Sequence, residues 1–300
     1  MRFALAIDLG GTQLRAALVN ERGEVQSRAA LPTDVQGGPK AIIPQMLQAA
    51  EAAGFSKRQQ NITGCGISAP GPLDSEAGTI IGIPTLPGFE DFPMRAALGK
   101  ALGLPVILEN DGIAAAYGEW KFGAGRGLEH LVYVTVSTGI GGGVVVDGRL
   151  MRGRRGMAGH VGHLMIDPNG PRCACGGQGC FEAHASGTAL SAAGRVHGFA
   201  DAKAIAAAAR AGDKAALALM DQEAEVLAYG FASLLHLYSP EKLIIGGGVS
   251  QALDLMAARI RARLNELAMP PFRDAEVVKA ALGDDAGLAG VGGLVFELAS

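Results

Sequence analysis

The sequence predicts an α/β fold built from two related halves, and three observations lead there. Apolar runs of strand length alternate with helix-like stretches along most of the chain. The layout strand, glycine turn, strand and tight turn opens the chain at "FALAIDLGGTQLRAALVNERG" and returns at "LEHLVYVTVSTGIGGGVVVDGRLM". No Pro/Ser-rich linker or low-complexity tail separates the halves, so the boundary is expected as a hinge near residue 112.

In chain order, "FALAIDLG" reads as a buried strand running into a glycine turn, and "LRAALVN" and "GEVQSRAAL" as two further strands about the "ERG" turn. A helix over 38–53 follows, then the strand "ITGCGIS", the loop "APGPLD", a short helix over 93–102 and the strand "PVILE". The helix beginning at "GIAAAYGEW" comes next, and then the second strand cluster, with Asp147-Gly148 as its tight turn. The Ala-rich stretch 188–237 reads as several helices whose alanines form and pack them, before "KLIIGGGVS" runs from a strand into a third glycine turn. These elements predict an N-terminal domain over 1–112 and a C-terminal domain over 113–287. A last helix, about 288–300, is expected to return to the first domain.

Composition narrows the function. The chain has 300 residues, 49% of them hydrophobic and 18% charged, with a formal net charge of −3 and no dense Lys/Arg block. That balance describes a globular protein with a sizeable core and lacks the basic footprint of a nucleic-acid binder, so the expected partners are small molecules. The N-terminal apolar run is too short for a signal peptide, and none approaches the roughly 18 residues of a membrane span, so the cytoplasm is expected. Four cysteines, three of them crowded into 173–180, make a poor disulfide framework. Cys65, inside an apolar strand, reads as a core residue.

Three glycine turns need a reason. In "DLGGT", Asp8 ends a strand, Gly10 and Gly11 let backbone approach a ligand, and Thr12 offers a hydroxyl and an N–H. Ser137, Thr138 and Gly139 repeat that design, and Gly247 and Gly248 follow a third strand. Successive N–H groups in such turns form anion-binding nests. Any one of them alone reads more readily as a hairpin without a ligand. Two at the heads of similar halves, with a third beside them, point to phosphate. Neither a Walker pattern nor a G-x-G-x-x-G opening the first helix is present, which excludes P-loop NTPases and Rossmann dehydrogenases.

Taken in order, "DLGGT", "APGPLD", "ENDGIAAAYGEW", "VSTGIGGGVV", "GHVGHLMIDPNGPRCACGGQGCFE" and "LIIGGGVS" resemble the ROK family of bacterial sugar kinases, within the actin/hexokinase-like ATPases. The resemblance spans nearly the whole chain. It implies two RNase H-like domains with a cleft between them, ATP and Mg²⁺ as cofactors, a sugar acceptor and a homodimer.

Within that frame, His163, Cys173, Cys175 and Cys180 form the Cys₃His set of a closed tetrahedral zinc site. With all four positions filled by protein, the metal has no place for an activated water and is structural. The alternative is reduced thiols in an ordinary glycine-rich loop. Asp111 stands where "VILEND" meets the next helix, a position that on its own slightly favours N-capping, by Asn110 or Asp111, over a base held ionised by the helix terminus. The resemblance assigns it the proton of the sugar hydroxyl, usually on C6, and places Asp8 near Mg²⁺ through water. It also implies a sugar pocket of Gly71, Asn110, Asp111, His163 and Glu182.

Two departures bear on the sugar. Most family kinases carry Glu where this chain has His160, and "GHVGH" is similar to bacterial N-acetylmannosamine kinases, which makes N-acetylmannosamine the first expected acceptor and His160 a candidate sugar contact. Thr85 stands where many relatives have Asn, N-acetylmannosamine kinases among them, which pulls the other way. Glucokinase, fructokinase and N-acetylglucosamine kinase are the alternatives. Family repressors carry a DNA-binding extension ahead of the first motif, which here begins at Asp8, so a sensor is not expected.

Overall fold

A computed structural model of the chain describes residues 1–83 and 85–298, so Pro84 and the last two residues of the expected terminal helix lie outside it. The chain divides into two compact units. Unit 1 comprises Met1–Gly127, Leu150–Gly159 and the stretch from Asp284 onward; unit 2 comprises Leu128–Arg149 and His160–Gly283.

Unit 1 contains β1 (Phe3–Leu9), β2 (Gln13–Asn20), β3 (Val25–Pro32), α1 (Gly38–Ala52), α2 (Phe55–Arg58), β4 (Ile62–Ala69), β5 (Leu73–Asp74), β6 (Thr79–Ile80), α3 (Met94–Leu102), β7 (Val106–Asn110) and α4 (Asp111–Phe122). Its main sheet has the order β3-β2-β1-β4-β7. The first three strands form an antiparallel meander, and β4 and β7 run parallel to β1. Strand β1 is covered on both faces, which is why it reads as an unbroken apolar run. Leu5, Ile7 and Leu9 pack with Ile42 and Met46 of α1 and Leu98 of α3. On the opposite face Ala6, Ala17 and Val19 pack with Ala114 of α4 and with Leu288 and Val291.

Unit 2 continues with β8 (Leu131–Val136), β9 (Ile140–Val146), β10 (Arg149–Leu150), α5 (Phe181–Ala185), α6 (Gly187–Arg195), α7 (Ala202–Arg210), α8 (Lys214–Tyr238), β11 (Lys242–Gly246), α9 (Leu253–Leu267) and β12 (Glu276–Lys279); α10 (Ala286–Leu298) then closes unit 1. The second sheet, β10-β9-β8-β11-β12, repeats the topology of the first, with β11 and β12 parallel to β8. The sequence reading omitted β12, whose short half-exposed run "EVVK" carries little apolar signal. Asp147 and Gly148 both take positive φ, as a tight hairpin turn requires. Among the described residues no helix is long and apolar enough to cross a membrane.

The structure moves the boundary expected near 112. Helix α4 belongs to unit 1 because it packs closely on α10: a Cβ at Gly118 would lie 2.4 Å from the Ala286 carbonyl oxygen, and one at Gly290 only 1.7 Å from that of Ala114. Glycines far apart in the chain thus set that helix contact, and strand and helix order alone does not reveal it. The segment Leu150–Gly159, expected with the second domain, also belongs to unit 1. There Arg152 Nη1 pairs with the buried Glu109 Oε2 at 2.5 Å, and the Arg155 carbonyl accepts from Ser75 N–H.

One residue of unit 2 is at odds with its surroundings. Glu223 of α8 is buried, its Oε1 lacks a hydrogen-bond partner, and the small cavity beside it is lined by Leu190, Leu219 and Val226 together with Gln222 and His184, whose Nε2 also lacks a hydrogen-bond partner. Desolvation raises its pKa well above the usual carboxylate range. A carboxyl whose folded pKa is raised destabilises the fold as pH climbs, because the unfolded chain ionises first. Glu223→Met is therefore expected to raise Tm, with a larger gain at pH 8 than at pH 5. Scanning calorimetry at both pH values checks this, and an equal gain at the two would contradict the buried-carboxyl assignment.

Candidate active site

In unit 1 the carboxyl ends of three adjacent strands bring the predicted groups together. Asp8 lies opposite Ser68 in the β1–β4 register, and Ala69 lies opposite Asn110 in the β4–β7 register, so Asp8, Gly71, Asn110 and Asp111 share one sheet end. Ligands collect at such ends in α/β folds. Gly10 and Gly11 form the β1–β2 turn, where Gly10 N–H donates to Gln13 O at 3.0 Å and a Cβ on Gly10 would sit 2.8 Å from that oxygen. Thr12 O accepts from Thr33 N–H, while Thr33 Oγ1 donates to Gly10 O. The side chain of Thr85 reaches the turn, its Oγ1 lying 3.2 Å from where a Gly11 Cβ would stand.

Asn110 is the N-cap of α4: its Oδ1 accepts from the N–H groups of Gly112 and Ile113. Its amide also donates to the Asp111 carboxylate, which leaves one N–H for a ligand. Asp111 is the first residue of the helix, and its Oδ1 accepts from Gly112 N–H at 2.8 Å. Asp111 keeps accessible surface, yet protein crowds it closely. That desolvation, followed by the negative charge of Asp8, pushes its carboxyl up to about 6. The helix terminus was expected to hold the charge on its own; it opposes the rise but is outweighed. An acid with pKa near 6 is still about nine-tenths ionised at pH 7.

Sequence reasoning missed the groups that hold Asp8. Arg15, one strand away, donates to Asp8 Oδ2 from Nη2 at 2.6 Å and Nε at 3.1 Å, and Ser68 Oγ donates to Oδ1 at 2.7 Å. The antiparallel register Asp8↔Arg15 makes the ion pair, which only strand pairing reveals.

Unit 2 carries the second glycine turn between β8 and β9 and the third after β11. Pairing of Gly246 with Thr135 sets these two turns side by side. Gly247 has φ +79°, and a Cβ there would lie 2.4 Å from Val136 O, so backbone approach demands glycine. Around them opens a cavity of about 960 Å³ lined by Thr138, Thr188, Arg195, Lys203, Gly248 and Gln251, among others. Ala200, Ala202, Ala206 and Ala207 line it too, so part of the Ala-rich stretch, expected only to form and pack helices, instead leaves room for a ligand.

The four donors expected at the metal site come together in unit 2. Ligand atoms of His163, Cys173, Cys175 and Cys180 all lie within 4.8 Å of one another. Cys175 and Cys180 Sγ are 3.7 Å apart, and Cys173 Sγ is 3.8 Å from His163 Nδ1. Two sulfurs each about 2.3 Å from a tetrahedral zinc stand about 3.8 Å apart, so the donors and their spacing fit. Burial pushes the Cys180 thiol up to about 12 and raises Cys173, whereas a backbone N–H from Gly177 lowers Cys175. Deprotonating all three thiols this close together would call for a cation among them.

His160 stacks on His163 with centroids 6.1 Å apart, and partial desolvation, then His163, lower its pKa. Glu182, an expected sugar contact, reaches the glycine turn: its Oε2 accepts from Ile140 N–H at 2.9 Å. The expected sugar contacts are thus divided, with Gly71, Asn110 and Asp111 in unit 1 and His160, His163 and Glu182 in unit 2.

A family model described as ROK family matches residues 4–297. A glucokinase of Thermotoga maritima is 36% identical over 310 residues, covering 98% of this chain and 97% of its own. An N-acetylmannosamine kinase of Escherichia coli O157:H7 is 39% identical over 255 residues, covering 84% of this chain and 85% of its own. The crystal structure of a ROK family glucokinase from Streptomyces griseus in complex with glucose and AMPPNP superposes with a TM-score of 0.83 at 32% identity, covering 98% of this chain and 99% of that one.

Proposed function

The chain belongs to the ROK family, and from that membership we propose that it is an ATP- and Mg²⁺-dependent sugar kinase acting on a hexose hydroxyl, with glucose as the first acceptor to test. The observation that carries this reading is the Asp111 carboxyl at the sheet end, poised near pKa 6 beside a pinned Asp8. A base of that strength takes a hydroxyl proton at neutral pH without being too weak to do so.

In this reading Asp111 accepts the proton as the sugar oxygen forms its bond to the γ-phosphorus of ATP and the β–γ bridging bond breaks, releasing ADP. Asn110 NH₂ orients the sugar. Asp8, oriented by Arg15 and Ser68, keeps a lone pair free on Oδ1, which fits it to accept from a water on Mg²⁺. Bound there, Mg²⁺ would neutralise charge on the phosphates. In unit 2 the turns at Thr138-Gly139 and Gly247-Gly248 receive the phosphates, and the 960 Å³ cavity receives the nucleoside, its size lying in the about 300–1,000 Å³ range of small-molecule sites. His163, Cys173, Cys175 and Cys180 would hold zinc, which would pin the loop 163–180. With His163 Nδ1 turned to these donors, its Nε2 would carry the proton and could donate to a sugar oxygen.

Relatives similar over nearly the whole chain include glucokinases, which ranks glucose ahead of the N-acetylmannosamine expected from sequence. N-acetylmannosamine is kept as the second reading because His160 stands where most family kinases have Glu. Coupled ADP release with ATP and Mg²⁺ across glucose, mannose, fructose, N-acetylglucosamine and N-acetylmannosamine tests both. Turnover strongest on glucose supports the first reading and strongest on N-acetylmannosamine the second; no turnover on any sugar would overturn the kinase assignment.

A further inference from the structure

Glu182 sits between two features that the proposed function treats separately. It follows Cys180 by two residues and opens α5. Its Oε2 accepts the Ile140 N–H, and its Oε1 lies 3.8 Å from Cys173 Sγ. A Cβ on Gly139 would come within 2.4 Å of Oε2, so Gly139 is glycine partly to admit this carboxylate. The next residues grip the same turn: Gly187 N–H donates to Ser137 O at 2.7 Å, and Thr188 Oγ1 donates to Thr138 O at 2.7 Å. From the zinc loop to the start of α6 the chain is thus a cradle for Ser137–Ile140.

A carboxylate is an unwelcome neighbour for a phosphate site, because its charge repels the ligand. Its presence is understandable if it fixes the turn, its Oε2 being engaged by the Ile140 N–H and not turned on the ligand. We infer that Glu182 is a positioning residue for nucleotide: it holds the phosphate turn in its binding shape and couples the zinc loop to nucleotide affinity, whether or not sugar is bound. This rests on the reading of the Thr138-Gly139 turn as a nucleotide-phosphate site.

The test is calorimetric titration of Mg-ADP into the full-length, zinc-loaded protein with no sugar present. Glu182→Asp keeps the charge and loses the reach to Ile140, whereas Glu182→Gln loses the charge and keeps an acceptor there. Glu182→Asp and Glu182→Ala are expected to weaken Mg-ADP by roughly ten- to a hundredfold, the loss of one hydrogen bond to a charged group, and Glu182→Gln to stay near wild type. In steady state, KM for ATP should rise in the Asp variant and return in the Gln variant. If Glu182 served only the sugar, all three would bind Mg-ADP like wild type, and that result overturns the inference while leaving the kinase reading intact. Failure of the wild type itself to bind Mg-ADP would sink both.

Discussion

Asp111→Asn is expected to abolish turnover while leaving ligand binding in place. The amide has nearly the same shape and can still accept from Gly112 N–H through its carbonyl oxygen, so α4 keeps its first turn. What it cannot do is take a proton. Loss of a general base costs about 10²- to 10⁴-fold in rate, so kcat should fall by that much while sugar and Mg-ADP affinities measured by calorimetry stay within a few-fold.

The wild-type pH profile carries the matching signature. Asp111 works only when ionised, and its carboxyl is pushed up to about 6, so kcat/KM should rise as pH increases through about 6 and level off above it. A variant that retains activity within a few-fold of wild type would remove Asp111 from the mechanism. A flat profile between pH 5 and 7 would remove the raised pKa.

The second large effect is expected at the zinc loop. Between His163 and Cys180 the chain buries little apolar side chain besides its own cysteines, so the metal must supply most of the loop's folding energy. Structural zinc in finger peptides contributes about 10–16 kcal/mol, far beyond what such a loop could gather from packing. Replacing the buried Cys180 by serine should lower bound zinc below half an equivalent, expose residues 163–180 to rapid hydrogen exchange, and drop Tm by several degrees. Activity should fall with it, since the Ser137–Ile140 turn rests on residues that follow directly from Cys180. Metal analysis, exchange mass spectrometry and calorimetry read these outcomes. A variant retaining a full equivalent of zinc and an unchanged Tm would show that the four donors do not form a metal centre.

Much of this was legible before any coordinates. The strands of both sheets except β12 could be read because each is a local apolar run ended by glycine or a polar turn, and chemistry clustered in sequence could be read for the same reason. His163 and the three cysteines lie within a short span, and Asp111 stands at a strand-to-helix junction that the sequence displays directly. Arg15 was missed because it is an ordinary strand residue until the β1–β2 register sets it opposite Asp8. The ligand-lining alanines were missed because alanine reads the same whether it packs a helix or leaves a hollow.

The sequence by itself determined the α/β class, the internal repeat, the glycine turns and the Cys₃His donor set. All of these follow from residue type and near-neighbour spacing, which short-range sterics and donor chemistry decide. Tertiary structure alone decided that α4 joins the first unit, that Arg15 and Ser68 pin Asp8, that the Asp111 carboxyl is raised and not lowered, and that Glu182 reaches the Ser137–Ile140 turn. Each depends on groups brought close by strand pairing or helix packing, and desolvation, ion pairing and close backbone approach depend on distance in space, which residue order does not state.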